Sequence, residues 1–110
     1  MAIHTEKEND VVIVAMEGEI NVTNANGVRE ALTKLLAQGE RKFLIDFKLV
    51  DFVDSSGLAV LIEMVQKLSK VNGKLRVFNV KSKIREIFEI VKIHKLISIH
   101  DDRAAALKDF

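Results

Sequence analysis

The residues best placed to carry chemistry are two adjacent hydroxyls in the stretch Asp54-Ser55-Ser56-Gly57-Leu58. Helical spacing of apolar residues begins at Leu58, which predicts that the serines lie at the start of a helix. Backbone N–H groups there lack intrahelical partners and favour anions, so a phosphate on a serine would be tolerated. Gly57 has no Cβ and could let a partner's backbone or a nucleotide phosphate approach closely.

Two features of this stretch argue against an anion site. The carboxylates of Asp51 and Asp54 would repel a phosphate, and Ser55 or Ser56 could simply cap the helix, since serine is a favoured capping residue. From the residues alone, a capping role and a modification site both remain open.

Other kinds of chemistry find little support in the sequence. The three histidines, His4, His94 and His100, have no second ligand at metal-binding spacing, and no nucleophile elbow or phosphate-binding glycine loop occurs. The nearby Asp46 and Asp51 could suggest an acidic pocket of the receiver-domain kind, but receivers begin with strict βα alternation and this chain opens with a hairpin. We therefore expect no catalytic residues, no metal and no cofactor.

Composition bounds the remaining possibilities. The 110 residues, with a net charge of +1, six Phe, and no Trp, Tyr or Cys, fit a single domain over residues 1–110. Weak net charge and few aromatics argue against nucleic-acid binding. No apolar run is long enough to insert into a membrane, and the polar first ten residues lack a signal-peptide core, so we expect a cytoplasmic protein. Seven cations between residues 67 and 85 are predicted to form a solvated helix face.

The elements that must position the serines follow from periodicity and turn residues. Residues 3–7 and 11–16 predict an antiparallel hairpin, and residues 42–47, 75–80 and 96–99 predict further strands. Helices are predicted from a cap at Thr23 or Asn24 to Gly39, from Leu58 to residue 72, from Ser82 to Val91, and from residue 101 to 110. Residues 48–53 are predicted to be an irregular link. The fold class is thus α/β: a mixed sheet of about five strands, with about four helices mainly on one side.

Within this order, particular residues resemble a known family. The stretch Phe-Leu-Ile-Asp-Phe at residues 43–47, followed by Asp54-Ser55-Ser56-Gly57-Leu58, is similar to the signature of STAS-domain anti-sigma factor antagonists. Two weaker matches are Gly18-Glu19-Ile20-Asn21 and residues 87–90. The resemblance runs from about residue 11 to about residue 99.

The resemblance implies a regulatory protein that is not an enzyme. In this family the serine after the aspartate, here Ser55, is phosphorylated. The unphosphorylated form binds an anti-sigma factor serine/threonine kinase and so releases a sigma factor, and a PP2C-type phosphatase restores binding. The implied partner-binding residues are Asn21, Val22, Thr23, Asp54, Ser55, Ser56, Gly57 and Leu58.

The sequence departs from the family at two positions, and other functions stay open. Asn21 replaces a family aspartate, and Lys92 stands where a glycine usually ends the third helix, so we expect that helix to end without a left-handed residue. The alternative function is a STAS subunit of a lipid or anion transport complex that docks a transporter ATPase without phosphorylation. A scaffold role in a stress-sensing assembly would call for an added N-terminal sensory domain, which a chain of this length leaves no space for.

Overall fold

The computed structural model describes residues 2–110 and shows one mixed sheet of five strands in the order β1-β2-β3-β4-β5. Strands β1 and β2 are antiparallel, and all other neighbours are parallel. The strands are β1 (Ile3–Glu8), β2 (Val11–Ile20), β3 (Lys42–Val53), β4 (Lys74–Phe78) and β5 (Ser98–His100). The helices are α1 (Ala25–Ala37), α2 (Ser55–Ser69), α3 (Ser82–Ile90) and α4 (Arg103–Leu107), with a short 3₁₀ helix at Ile93–Lys95. The predicted fold class is confirmed.

The two faces of the sheet are covered unequally. Alternate strand residues such as Val12, Val14 and Phe43 pack against α1, α2 and α3 in the main core. The opposite face carries a smaller cluster around Leu44, which the short helix α4 covers through Ala106. Three of the four helices therefore lie on one side, as the sequence predicted.

The segment predicted to be an irregular link, residues 48–53, is strand instead. Strand β3 continues to Val53 and stays paired with β2 as far as Ile20. The pairing absorbs two register shifts, between Ala15 and Glu17 and between Gly18 and Glu19. Such bulges break the alternation of buried and exposed side chains, which explains why the sequence pattern looked irregular there.

Several boundaries also differ from the prediction. Helix α2 begins at Ser55 rather than Leu58, β5 begins at residue 98 rather than 96, and α4 ends at Leu107 rather than 110. Ser82 is the first residue of α3 and not its cap, and Val91, predicted to point inward, is half exposed.

The predicted end of α3 is wrong in a more specific way. Lys92 adopts the left-handed conformation (φ 62°, ψ 24°) that was expected to be avoided. The next residue, Ile93, is buried in the main core, and the turn delivers it there directly after the helix ends. We infer that core packing of Ile93 outweighs the local backbone cost at Lys92.

Candidate functional site

The site around Ser55 is assembled at the carboxyl ends of two neighbouring strands. Ser55 follows β3 directly as the first residue of α2 and is exposed. Ile20, at the end of β2, is in register with Val53 at the end of β3, so the turn after β2 lies beside Ser55. We call residues 21–24 together with residues 54–56 the serine end of the molecule.

The helix start at the serine end is capped by Asp54 and not by a serine. The Asp54 Oδ1 atom accepts hydrogen bonds from the backbone N–H groups of Ser56, at 2.8 Å, and Gly57, at 3.2 Å. Its Oδ2 atom accepts a third from the N–H of Val22, at 3.1 Å, across the two strand ends. One carboxylate thus satisfies the start of α2 and also ties the neighbouring turn to it.

This capping leaves the hydroxyl of Ser55 available for other interactions. The side chain of Ser55 forms no hydrogen bond within residues 2–110, and the predicted outward position of this hydroxyl is confirmed by its exposure. Ser56 is partly buried. The alternative that Ser55 or Ser56 serves merely as the helix cap is therefore wrong, because Asp54 already fills that role.

The turn after β2 is held by its own side chains. The Asn21 Oδ1 atom accepts a hydrogen bond from the N–H of Thr23, and the Asn24 Oδ1 atom accepts one from the N–H of Asn21, both at 3.0 Å. The Asn24 side-chain amide donates to the carbonyl of Glu19 at 2.7 Å. Asn24 occupies the capping position of α1 as predicted, but its side chain caps nothing. An aspartate at position 21 could accept the same hydrogen bond, but it would carry a negative charge that Asn21 lacks.

Three large apolar side chains are exposed near the carboxyl ends of β2 and β3. Val22 is 75% exposed, while Leu49 and Phe52 of β3 are about half exposed. Val22 was among the predicted partner-binding residues, whereas Leu49 and Phe52 were missed. The sequence did contain a clue to Leu49 and Phe52. Residues 48–53 are rich in apolar residues but lack the regular alternation that would assign those side chains to a core. Exposed apolar side chains that form a patch are typical of interaction surfaces.

Gly57 and Leu58, two of the predicted partner-binding residues, are buried within the fold. A Cβ at Gly57 would lie 2.7 Å from both Ile20 Cγ2 and Val53 Cγ1, so the glycine permits close packing of α2 on the sheet inside the fold. Leu58 is 8% exposed and belongs to the main core. Neither residue is available for direct contact with a partner in this conformation. The other predicted partner-binding residues all lie at the serine end.

The acidic residues considered earlier do not converge on one pocket. Asp51 forms an ion pair with Lys81 at 2.5 Å, and Asp46 accepts hydrogen bonds from the N–H of Lys48 and the side-chain amide of Asn79. Asp54 forms no ion pair with any residue that the structure describes. No group of three potential metal-binding His, Cys, Asp or Glu side chains occurs between residues 2 and 110.

The histidines are likewise separate from the serine end. His100, on the face of the sheet that α4 partly covers, lies 2.6 Å from the Ser98 hydroxyl through its Nε2 atom. Partial burial, together with the nearby Arg76 guanidinium, lowers the pKa of His100. Across the described chain, the helices are too short or too polar to cross a bilayer.

Comparison with known proteins agrees with this geometry. The family model described as STAS domain matches residues 2–106. An anti-sigma-B factor antagonist of Bacillus subtilis is 33% identical over 94 residues, covering 86% of this chain and 84% of the relative. An anti-sigma factor antagonist from Mycobacterium paratuberculosis has the same fold, with a TM-score of 0.87, 24% identity, and coverage of 96% and 90% of the two chains.

A further structural neighbour is known in two chemical states. The anti-sigma factor antagonist SpoIIAA, a Bacillus cell fate determinant, is similar in its unphosphorylated form (TM-score 0.74) and its phosphorylated form (TM-score 0.73). Both are 20% identical to this chain. They cover 94% of it, and the chain covers 91% and 96% of them, respectively.

Proposed function

Because the chain belongs to the STAS domain family, we propose that it is an anti-sigma factor antagonist switched by phosphorylation of Ser55. The unphosphorylated protein binds an anti-sigma factor that is a serine/threonine kinase, and this binding releases a sigma factor. The kinase phosphorylates Ser55 and dissociates, and a PP2C-type phosphatase resets the protein. The setting of this cycle is the cytoplasm.

The proposal rests on one observation: Asp54 caps the helix, and the Ser55 hydroxyl is not needed for the cap. Asp54 caps α2 through two backbone N–H groups and accepts a third from Val22, and Ser55 contributes an exposed hydroxyl that the fold does not use. A modification of Ser55 can therefore change the surface without unfolding the helix start. A serine that capped the helix itself could not be modified so freely.

The switch follows from charge. Phosphorylation adds about −1.5 to −2 charges at neutral pH. The new charge would stand next to the Asp54 carboxylate, which has no cation paired with it in residues 2–110. Since the chain's own ion pairs do not neutralise this site, the partner surface would have to do so. A partner shaped for a neutral hydroxyl would instead bury an unpaired charge, at a cost of about 3 kcal/mol or more.

The docking surface we propose is the serine end extended by apolar side chains. Val22 supplies an exposed apolar contact whose backbone is fixed by Asp54. Leu49 and Phe52 extend this surface along β3. Burial of these side chains against the kinase would provide affinity, and Ser55 would sit where a single charge can abolish it.

The test uses candidate anti-sigma factor kinases encoded beside the gene. The protein is incubated with kinase and ATP, phosphate incorporation is read by intact mass and site mapping, and kinase affinity is measured by calorimetry. We expect one phosphate, at Ser55. We expect Ser55→Ala to bind without being phosphorylated, and Ser55→Asp to bind more than about 100-fold more weakly, the equivalent of about 3 kcal/mol.

Two controls make the test specific. Because Asp54 caps α2, Ser55→Ala should leave the free energy of unfolding nearly unchanged, so any loss of phosphorylation is not a loss of fold. Ser56→Ala should still be phosphorylated at Ser55. Phosphorylation of the Ser55→Ala protein at Ser56 followed by normal dissociation would overturn the assignment, as would tight kinase binding by the phosphorylated protein.

The alternative of a transport-complex subunit is not favoured. The Bacillus subtilis relative, an anti-sigma-B factor antagonist, is matched over 84% of its own length. Co-purification with a membrane complex, without phosphorylation of Ser55 by any soluble kinase, would reverse this preference.

A further inference from the structure

The cations of the molecule are unevenly paired. Between Glu63 and Glu86 the chain has no acidic residue, and between Glu89 and Asp101 it again has none. Some cations in these stretches form ion pairs. Lys81 pairs with Asp51, and Arg85 pairs with Asp101. Eight exposed lysines have no carboxylate within 4.0 Å among residues 2–110, and four of them follow the ends of α2 and α3: Lys70, Lys74, Lys92 and Lys95.

Chain direction gathers these four lysines at one end of the sheet. Helix α2 starts at the serine end and runs back for 15 residues, about 22 Å, so Lys70 lies at the opposite end, followed by Lys74 at the start of β4. Helix α3 also runs back, so Lys92 and Lys95 precede β5 at that same end. We call these four lysines, with the exposed apolar residues Val71 and Leu96, the lysine end.

A groove of about 490 Å³, lined by both apolar and polar residues, opens at the lysine end. Leu68 and Leu75 form part of its lining, Leu96 flanks it with 56% of its side chain exposed, and Lys74 stands on its rim. Gly73 also lines the groove, where a Cβ would meet Leu68 Cδ2 at 2.5 Å. The recess therefore combines apolar side chains, of which Leu96 is the most exposed, with unpaired positive charge at its edge.

At the same end of the sheet, two lysines on the β1 side are neutralised by carboxylates. On the β1 side, Lys7 is paired with Glu40 and Lys42 with Asp10. Proximity to Lys42 lowers the pKa of Asp10. On the β4–β5 side the lysines have no such partners, although Glu89 lies nearby in sequence at the end of α3. At this end of the sheet, Lys7 and Lys42 are thus neutralised, whereas the four lysines on the groove side are not.

We propose that the lysine end is a second docking surface, for an acidic protein segment that places an apolar side chain in the groove. Carboxylates of that segment would pair with Lys70, Lys74 and Lys95, and its apolar side chain would be buried beside Leu96. This surface is about 22 Å from Ser55, so a partner could be held there whether or not Ser55 is phosphorylated. The proposal goes beyond the switching function and does not depend on it.

Two other occupants fit the surface less well. A second copy docked symmetrically would bring like-charged lysines face to face, which opposes association. A flat lipid surface could contact the lysines but could not enter a recess lined by Leu68 and Leu75, whereas a projecting side chain can.

The experiment is a titration followed by two-dimensional ¹⁵N–¹H NMR of the full chain. The probe is a synthetic peptide in which glutamates surround leucines at every fourth position, and its control carries lysines in place of the glutamates. We expect saturable shifts of the amides of residues 68–75 and 95–98 with the acidic peptide only, weakened by added salt. The Lys74→Glu/Lys95→Glu variant should bind about 10-fold more weakly. Its matched control is Lys48→Glu/Lys83→Glu, which has the same net charge and should bind normally.

Every other outcome would overturn the proposal. These outcomes are an absence of saturable shifts, shifts centred elsewhere, equal binding by both charge-reversed variants, sedimentation of a dimer that depends on Lys74 and Lys95, or binding to phosphatidylglycerol vesicles in place of the peptide. The Ser55→Asp variant should bind the peptide as the unmodified protein does. A failure at the lysine end would therefore leave the proposed function untouched, and the converse also holds.

Discussion

The two ends of helix α2 are built on different principles. At the serine end, side chains hold the backbone: Asp54 accepts three N–H groups, and Asn21 and Asn24 fix the neighbouring turn. At the lysine end, the backbone turns through the left-handed residues Asn72 and Lys92, and the four lysine side chains are exposed.

This difference matches the two kinds of recognition that we propose. A switch needs a rigid platform on which one added charge changes binding and nothing else, and a side-chain-capped helix start provides it. A charge-based docking surface needs only a local excess of one sign beside an apolar recess. The backbone is therefore held most firmly at the serine end, where a partner is to recognise a single hydroxyl.

The largest expected effect comes from the two glycines that let α2 pack closely, one at each end. A Cβ at Gly73 would lie 2.7 Å from the carbonyl oxygen of Arg41, which is backbone and cannot move freely. A Cβ at Gly57 would meet only methyl groups, of Ile20 and Val53, at 2.7 Å. We expect Gly73→Ala to lower the free energy of unfolding by about 3 kcal/mol and Gly57→Ala by about 2 kcal/mol, measured by urea denaturation.

Gly27→Ala is the control for these two glycines. A Cβ at Gly27 meets nothing within 4 Å, so this variant should be neutral or stabilised, because alanine favours a helix. If Gly57→Ala proved as harmless as Gly27→Ala, Gly57 would not be needed for packing, and its predicted role toward a partner would regain support.

A smaller effect is expected at the helix cap. Asp54→Ala leaves three N–H groups without their acceptor and should lower the free energy of unfolding by about 1–2 kcal/mol, whereas Asp54→Asn keeps an acceptor and should cost less. Asp102 is a matched control, because it caps the short helix α4 through only one N–H, that of Ala105. Equal losses for Asp54→Ala and Asp102→Ala would contradict a special rigidity of the serine end.

The sequence predicted what depends on periodicity and missed what depends on neighbours. Strand and helix order followed from apolar spacing, and Ser55 could be singled out because small hydroxyls precede a helix. The cap could not be assigned, since Asp54 and the serines are all favoured capping residues and only the position of Val22 across the sheet favours the carboxylate. Likewise, the extension of β3 depends on bulges against β2, which leave no regular pattern in one strand alone.

The smallest effect tests the lysine end through its strained turn. Lys92 holds φ at 62°, a conformation that costs a residue with a Cβ about 1–2 kcal/mol, while glycine adopts it freely but loses about 0.5–1 kcal/mol more entropy on folding. We therefore expect Lys92→Gly to raise the free energy of unfolding by about 0.5–1 kcal/mol, measured by urea denaturation. Asn72→Gly serves as control and should change little, since asparagine tolerates the same conformation (φ 59°). If Lys92→Gly instead destabilised the protein, the lysine side chain would have to contribute more to the fold than its exposed position indicates. The contrast between a side-chain-held serine end and a backbone-turned lysine end would then fail at this turn.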